Sequence, residues 1–213
     1  PAAASRIITV LNGADEYPLP PTHHDACFRI RFAGTIYITA DVAHLLRGAR
    51  QVIDELHLSP NEIRVELIGP MDDPETGSIM AGARAEHMEE YVSVGPLLPH
   101  AEALDFLAGA SMLVIFSGFG AVTLPAKTFE YMRFEAWLLA QGEPGSALDL
   151  LLQGTEADVV GPTDVAATAA AIRRRVEQYR AGIRPARIVS DDRYSRARQA
   201  DILFDALEAL PAR

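Results

Sequence analysis

From Phe28 onward the chain alternates between two hydrophobic periods. Short apolar runs give way to a glycine or polar turn, then to apolar residues at helical spacing, then to another run. "FRIRFAG" alternates as a half-buried strand does, and "DVAHLLRGARQVIDELHL" sets Val42, Leu45, Leu46, Ala49, Val52, Ile53 and Leu56 on one helical face. "IRVELIG" predicts a second strand, residues 75–88 a helix, and "YVSVG" a short third strand. "HAEALDFLAGA" then predicts a helix, and "SMLVIF" a strand apolar on both faces. A helix opens at "PAKTFEYM", followed by the strand "AWLLA", a helix through "SALDLLLQG" and the strand "ADVVG". A helix over 164–179 is predicted to bury Val165, Ala169, Ile172, Val176 and Tyr179. A last helix over 194–210 is predicted to bury Leu203, Ala206, Leu207 and Leu210.

Strict alternation of strand and helix implies right-handed crossovers and a parallel sheet covered on both faces. Six strands beginning at Phe28 predict an α/β fold, a doubly wound, Rossmann-like sheet in the order 3-2-1-4-5-6. In that order strands one and four are neighbours whose connections leave in opposite directions, and ligands bind beyond their carboxyl ends. The loops at that point are "AGTIYIT" and "SGFGAVTLPAK". Residues 1–27 stand outside the alternation. "RIITVLNGADEYPLPP" reads as one strand, an Asn-Gly turn and a proline-rich extended segment, a connector entering a domain over 28–213. The first residue is Pro1 rather than methionine, so the expectation is a piece of a longer protein whose amino-terminal domain is missing, with a targeting segment upstream left open.

Composition narrows the classes. An apolar content of 49% suits a packed globular domain. The apolar runs fall far short of the ~20 residues of a membrane span, and no basic leader precedes an apolar stretch. Cys27 is the single cysteine, which fits a reducing compartment and a cytoplasmic location. The net charge of −10 argues against nucleic acid as a partner. The carboxyl-terminal part is nevertheless arginine-rich, with "RRR" at 173–175. A solvated helix face is the expected reading, and peripheral attachment to an anionic membrane surface is the alternative.

The stretch "VIFSGFGAVTLPAKTFEYM" carries the candidate chemistry. A nucleoside diphosphate needs backbone N–H groups at a helix start with a fixed cation beside them. Gly34 and Thr35 can offer amides from one side of the crevice, and the helix start after Pro125 from the other. Lys127 adds a point charge and is the only lysine among nineteen basic residues. Glu130, three residues on, shares its helix face and can accept from both hydroxyls of a ribose. Complementing the helix dipole is the structural alternative for Glu130.

Other constellations are weaker. A dinucleotide fingerprint would need G-x-G-x-x-G after the first strand, and only Gly34 stands there. Strand two ends in "LIGP" with no acidic residue, so a nicotinamide cofactor is disfavoured. His23, His24 and Asp25 are too close in sequence to converge on a metal, so none is expected. Asp72 and Asp73 read as solvated, His100 as a surface residue, and Cys27 as a small core or hinge residue. Ser117 lies outside any nucleophile elbow.

At the Lys127 segment the sequence resembles the carboxyl-terminal, donor-binding half of the retaining GT-B glycosyltransferases that use nucleotide sugars. The motif is a proline, a small residue, lysine, apolar residues, then Glu-Tyr, here "LPAKTFEYM". "FAGTIY", "VELIGP", "VSVGPLLPHAEALDFLAGASMLVI", "YSRARQADILFDAL" and "VLNGAD" match the family in order and spacing over nearly the whole chain. The resemblance implies that Glu130 holds the ribose hydroxyls, and that Lys127 with amides near Thr123 and Leu124 meets the diphosphate or the sugar. It also implies that Gly34 and Thr35 line the phosphates, with the Gly118 and Gly120 loop opposite, and that Leu97 and Leu98 flank the base. The substrate would be a nucleoside-diphosphate sugar with no further cofactor, and the enzyme a hexosyltransferase, inactive as this segment alone. Three departures stand out. Val122 replaces a glutamate that contacts the donor sugar, no lysine or arginine lies between Thr35 and Arg47, and "MRFEAWLLA" replaces a small-Gly-Lys-Pro segment. These departures motivate a second reading, a degenerate domain serving as an interaction module, whose crevice side chains such as Tyr37, Met71 or Phe119 would fill.

Overall fold

A computed structural model describes residues 7–36, 39–70, 78–117 and 120–210. The strands β1 (Phe28–Ala33), β2 (Ile63–Ile68), β3 (Val92–Gly95), β4 (Met112–Phe116), β5 (Trp137–Gln141) and β6 (Asp158–Val160) form one sheet. Its order is β3-β2-β1-β4-β5-β6 and every pairing is parallel. The helices α1 (Thr39–Leu56), α2 (Ile79–Ala85), α3 (His100–Ala108), α4 (Lys127–Tyr131), α5 (Ala147–Leu152) and α6 (Val165–Arg180) alternate with the strands, and α7 (Arg196–Glu208) follows. This is the doubly wound, Rossmann-like architecture that the alternation predicts.

Two hydrophobic clusters lie on opposite faces of the sheet. One gathers Phe28, Ile30 and Phe32 of β1 with Val42, Leu45, Leu46 and Ala49 of α1 and with Ile172, Val176 and Tyr179 of α6. The other gathers Leu113 and Ile115 of β4 with Leu104 and Leu107 of α3 and Leu148 of α5. Each fully buried Leu, Ile or Phe contributes about 1.5–3 kcal/mol relative to exposure. Gly48 lets α1 approach α6, since a Cβ there would stand 2.7 Å from Thr168 Cγ2. The central strand β4 is apolar on both faces, whereas β1 alternates. The polar positions of β1 are Arg29 and Arg31, which pair with Glu66 on β2 at 2.6 and 2.7 Å, and Arg31 also lies over the Phe106 ring of α3, 4.5 Å from its centroid.

Three expectations need correction. Helix α2 ends at Ala85 rather than 88, because His87 takes φ 53° and turns Met88 into the core. On α6, Val165 and Ala169 are only half-buried. The stripe predicted for α7 is not core: Leu203, Leu207 and Leu210 are 42%, 52% and 64% exposed, and Phe204 beside them 60%. The buried residue of that helix is Gln199, which accepts from Leu11 N–H through its side-chain oxygen at 2.9 Å.

The arginine-rich end is not a uniform solvated face either. Arg175 is buried, with Nε 2.7 Å from the buried Asp158, and Arg174 pairs with the same carboxylate. Arg173, Arg180, Arg187, Arg193 and Arg196 each lie beside an acidic side chain. Among the described residues no helix is long and apolar enough to cross a membrane. The segment before β1 runs along the carboxyl-terminal part of the chain. Ala14 N–H donates to Tyr194 O at 2.9 Å, and Arg196 N–H donates to Ala14 O at 3.0 Å.

Candidate functional site

The carboxyl ends of β1, β2 and β3 are laced together by their exit turns. Gly34 N–H donates to Ile68 O at 2.9 Å, Gly69 N–H to Gly95 O at 3.1 Å, and Ile36 N–H to Pro70 O at 3.1 Å. Gly69 (φ +122°) must be glycine, because a Cβ there would stand 2.4 Å from Gly34 O. Gly34 (φ +134°) is bare for a second reason: its Cβ would stand 2.3 Å from Lys127 Nζ. Lys127, on the helix that follows the turn after β4, therefore reaches the turn that follows β1.

Lys127 does not point outward. Its Nζ donates to Ala33 O at 3.1 Å and lies 3.9 Å from the centroid of the Phe32 ring. Burial lowers its pKa to about 8, an effect the Glu130 carboxylate only partly opposes. Tyr131, fully buried, accepts from Ala33 N–H at 2.8 Å and donates to Ala33 O at 3.2 Å. Burial raises its phenol well above the usual tyrosine range. The helix that supplies these side chains has only five residues, so what it offers an anion as a dipole is small.

Glu130 sits at the other end of this short helix. Its Oε1 accepts from the Tyr17 hydroxyl and lies 3.5 Å from His100 Nε2. The Tyr17 hydroxyl and His100 Nε2 are 3.0 Å apart, and their rings meet edge-on with centroids separated by 4.8 Å. A cavity of about 280 Å³ opens beside this group. Gly34, Leu97, Leu98 and Glu130 line it, together with His100 and Tyr131. Thr35, Gly120, Thr123, Leu124 and Lys127 are not among its lining residues. Leu97 is 70% exposed at the rim, and Leu98 is half-buried. Gly120 (φ +101°) and Thr123 close a turn through Thr123 N–H to Gly120 O at 3.3 Å. Val122, where the family resemblance places a glutamate, is 88% exposed.

Gly118, Phe119, Tyr37, Met71, Asp72 and Asp73 lie outside the described residues. Within the described residues no group of His, Cys, Asp and Glu side chains could hold a metal ion. Sequence reading missed Tyr17, which joins the site from 113 residues away and had no motif to mark it. His100, read as a surface residue, is exposed, and it also lines the cavity beside Glu130. Gln141, at the end of β5, was missed as well: it is 1% exposed, and among the described residues neither side-chain amide atom has a hydrogen-bond partner.

Neither a family model nor a curated protein matches the chain. Solved structures do. The apo form of the lipopolysaccharide outer core galactosyltransferase WaaB matches with TM-score 0.68 and 15% identity, over 97% of this chain and 56% of that one. The carboxyl-terminal domain of LpcC, a glycosyl transferase group 1 family protein from Francisella tularensis, matches with TM-score 0.52 and 15% identity, over 72% of this chain and 77% of that one. The fold is that of GT-B glycosyltransferases. A third likeness to this fold is MnaA of S. aureus in complex with UDP, with TM-score 0.58 and 12% identity, over 86% of this chain and 45% of that one. The chain thus spans little more than half the length of WaaB.

Proposed function

We propose that the chain is the nucleotide-sugar donor-binding domain of a retaining GT-B glycosyltransferase. The observation that carries this reading is the cavity at the switch point, which brings the Gly34 turn, the Leu97–Leu98 wall and the Glu130 carboxylate to one place. Its volume of about 280 Å³ suits the nucleoside half of the donor. Leu97 and Leu98 would flank the base, Glu130 would take the ribose hydroxyls, and the diphosphate would run along Gly34 and Thr35. Amides near Thr123 and Leu124 would meet the diphosphate or the sugar, with Gly118 and Gly120 as further donor-binding residues. Lys127, already at the Gly34 turn, supplies a positive charge there. A phosphate would draw its ammonium away from Ala33 O and stabilise the leaving diphosphate electrostatically.

In this reading residues 1–27 are an interdomain connector, residues 28–213 are the donor domain, and an amino-terminal domain carries the acceptor site. Two observations support that partner. The chain corresponds to 56% of the WaaB chain. Helix α7 presents Leu203, Phe204 and Leu207 to solvent, with Leu210 just beyond its end, an apolar face suited to a second domain of the same protein.

Calorimetric titration with uridine, guanosine and adenosine diphosphates tests the reading. One of them should bind, and Glu130→Ala should weaken it by about ten-fold or more, as loss of a charged hydrogen-bond partner does. Binding by none, or binding indifferent to Glu130→Ala, overturns it.

A further inference from the structure

Tyr17 is held at both ends by the segment that carries the candidate ribose acid. Its hydroxyl donates to Glu130 Oε1, and its carbonyl accepts from Arg133 Nη2 at 2.9 Å. Arg133 stands three residues beyond Glu130, and it also donates from Nη1 to Asp15 O at 2.5 Å. Before Tyr17 the connector is tied on through Ala14, bonded to Tyr194 and Arg196, and Leu11, bonded to Gln199. One carboxylate therefore touches both the cavity and the segment that enters the domain.

A carboxylate binds a vicinal diol best with both oxygens and free lone pairs. Here Oε1 is already engaged by Tyr17 and faced by His100. Burial, and then the neighbouring Glu130, raise the Tyr17 phenol well above the usual tyrosine range, so it remains a donor at neutral pH. A ribose offers two hydroxyls where Tyr17 offers one. Resting on the donor-pocket reading, we propose that Tyr17 is a displaceable stand-in for the ribose hydroxyls on Glu130, and that its displacement reports occupancy of the pocket to connector residues 11–17. Without the phenol the connector keeps its backbone bonds to Arg133, Tyr194 and Arg196, so the change is a loosening and not a detachment.

The test compares the full chain with Tyr17→Phe, which keeps the ring and removes only the hydroxyl. Both are titrated with the nucleoside diphosphate that binds and with its 2′,3′-dideoxy analogue, and amide exchange is followed over residues 11–17. Tyr17→Phe should bind the ribonucleotide roughly five-fold more tightly, about one net hydrogen bond's worth of competition removed. The dideoxy analogue should not distinguish the two proteins. The ribonucleotide should accelerate exchange over residues 11–17 in the wild type only. Equal or weaker binding by Tyr17→Phe overturns the proposal, since the phenol would then be idle or part of the ligand's site. Unchanged or slowed connector exchange overturns it too. If neither protein binds any nucleotide, the donor-pocket reading itself fails and this proposal falls with it.

Discussion

Lys127 Nζ stands 2.3 Å from the point a Cβ on Gly34 would occupy. Two positions 93 apart in sequence thus share one small space, and the glycine is what admits the ammonium. Gly34→Ala should destabilise the fold by about 1–3 kcal/mol, through the strained φ as well as the displaced lysine. Gly69→Ala should cost more, because the obstacle there is the backbone oxygen of Gly34, which cannot swing aside as a lysine can. Urea denaturation of the two variants gives the ranking, and a double variant Gly34→Ala, Lys127→Met should recover part of the first loss but not all of it.

Lys127 is the only lysine, so a lysine-selective isotope label yields one side-chain signal. Its titration should have a midpoint near the lowered value of about 8. The folded pKa lies below the unfolded one, so between about 8 and the ordinary lysine value the unfolded chain binds more protons and stability rises with pH. From pH 7.5 to 9.5 the wild type should gain about 1–2 kcal/mol relative to Lys127→Met, measured by denaturation at both values. Added nucleoside diphosphate should move the midpoint upward, since a nearby anion favours the charged amine.

Asp158 and Arg175 form a buried pair at 2.7 Å, and Arg175 also donates to Glu156 O at 2.6 Å. Asp158→Ala leaves the guanidinium buried without its counter-charge and should cost about 3–5 kcal/mol. Arg173→Ala removes an exposed pair with Glu55 and should change stability by about 0–1 kcal/mol. Equal losses in the two variants would contradict this account of the arginine run.

Gln141 buries a side-chain amide with neither atom hydrogen-bonded to any described residue. Gln141→Met keeps the volume and removes the unpaired groups, so it should be neutral or stabilise by about 1–3 kcal/mol. A loss of that size, read from thermal unfolding, would mean the amide has a partner in solution.

Much of the fold was legible because it depends on local period. The alternation after Phe28 encodes strand, helix and parallel sheet, and the order of the strands follows from handedness and the reversal between β1 and β4. The apolar face of α7 was read correctly as apolar and wrongly as core. Helical spacing tells which residues share a face, and nothing in it says whether this chain supplies the cover. Arg175 was hidden in a run of three arginines, because only the tertiary position of Asp158 separates it from its neighbours. Leu97 and Leu98, which line the cavity, rested on the family resemblance alone, while Gly34 and Glu130, which line it too, could be singled out because strand order fixes which loops meet. Tyr17 could not, because its contact with Glu130 depends on where an irregular connector lies.

The bridge between Ala14 and Ser195 brings the incoming and outgoing chain side by side. The connector and the start of the last helix are therefore held at one place, and Tyr17, three residues on, links that place to Glu130 at the wall of the cavity.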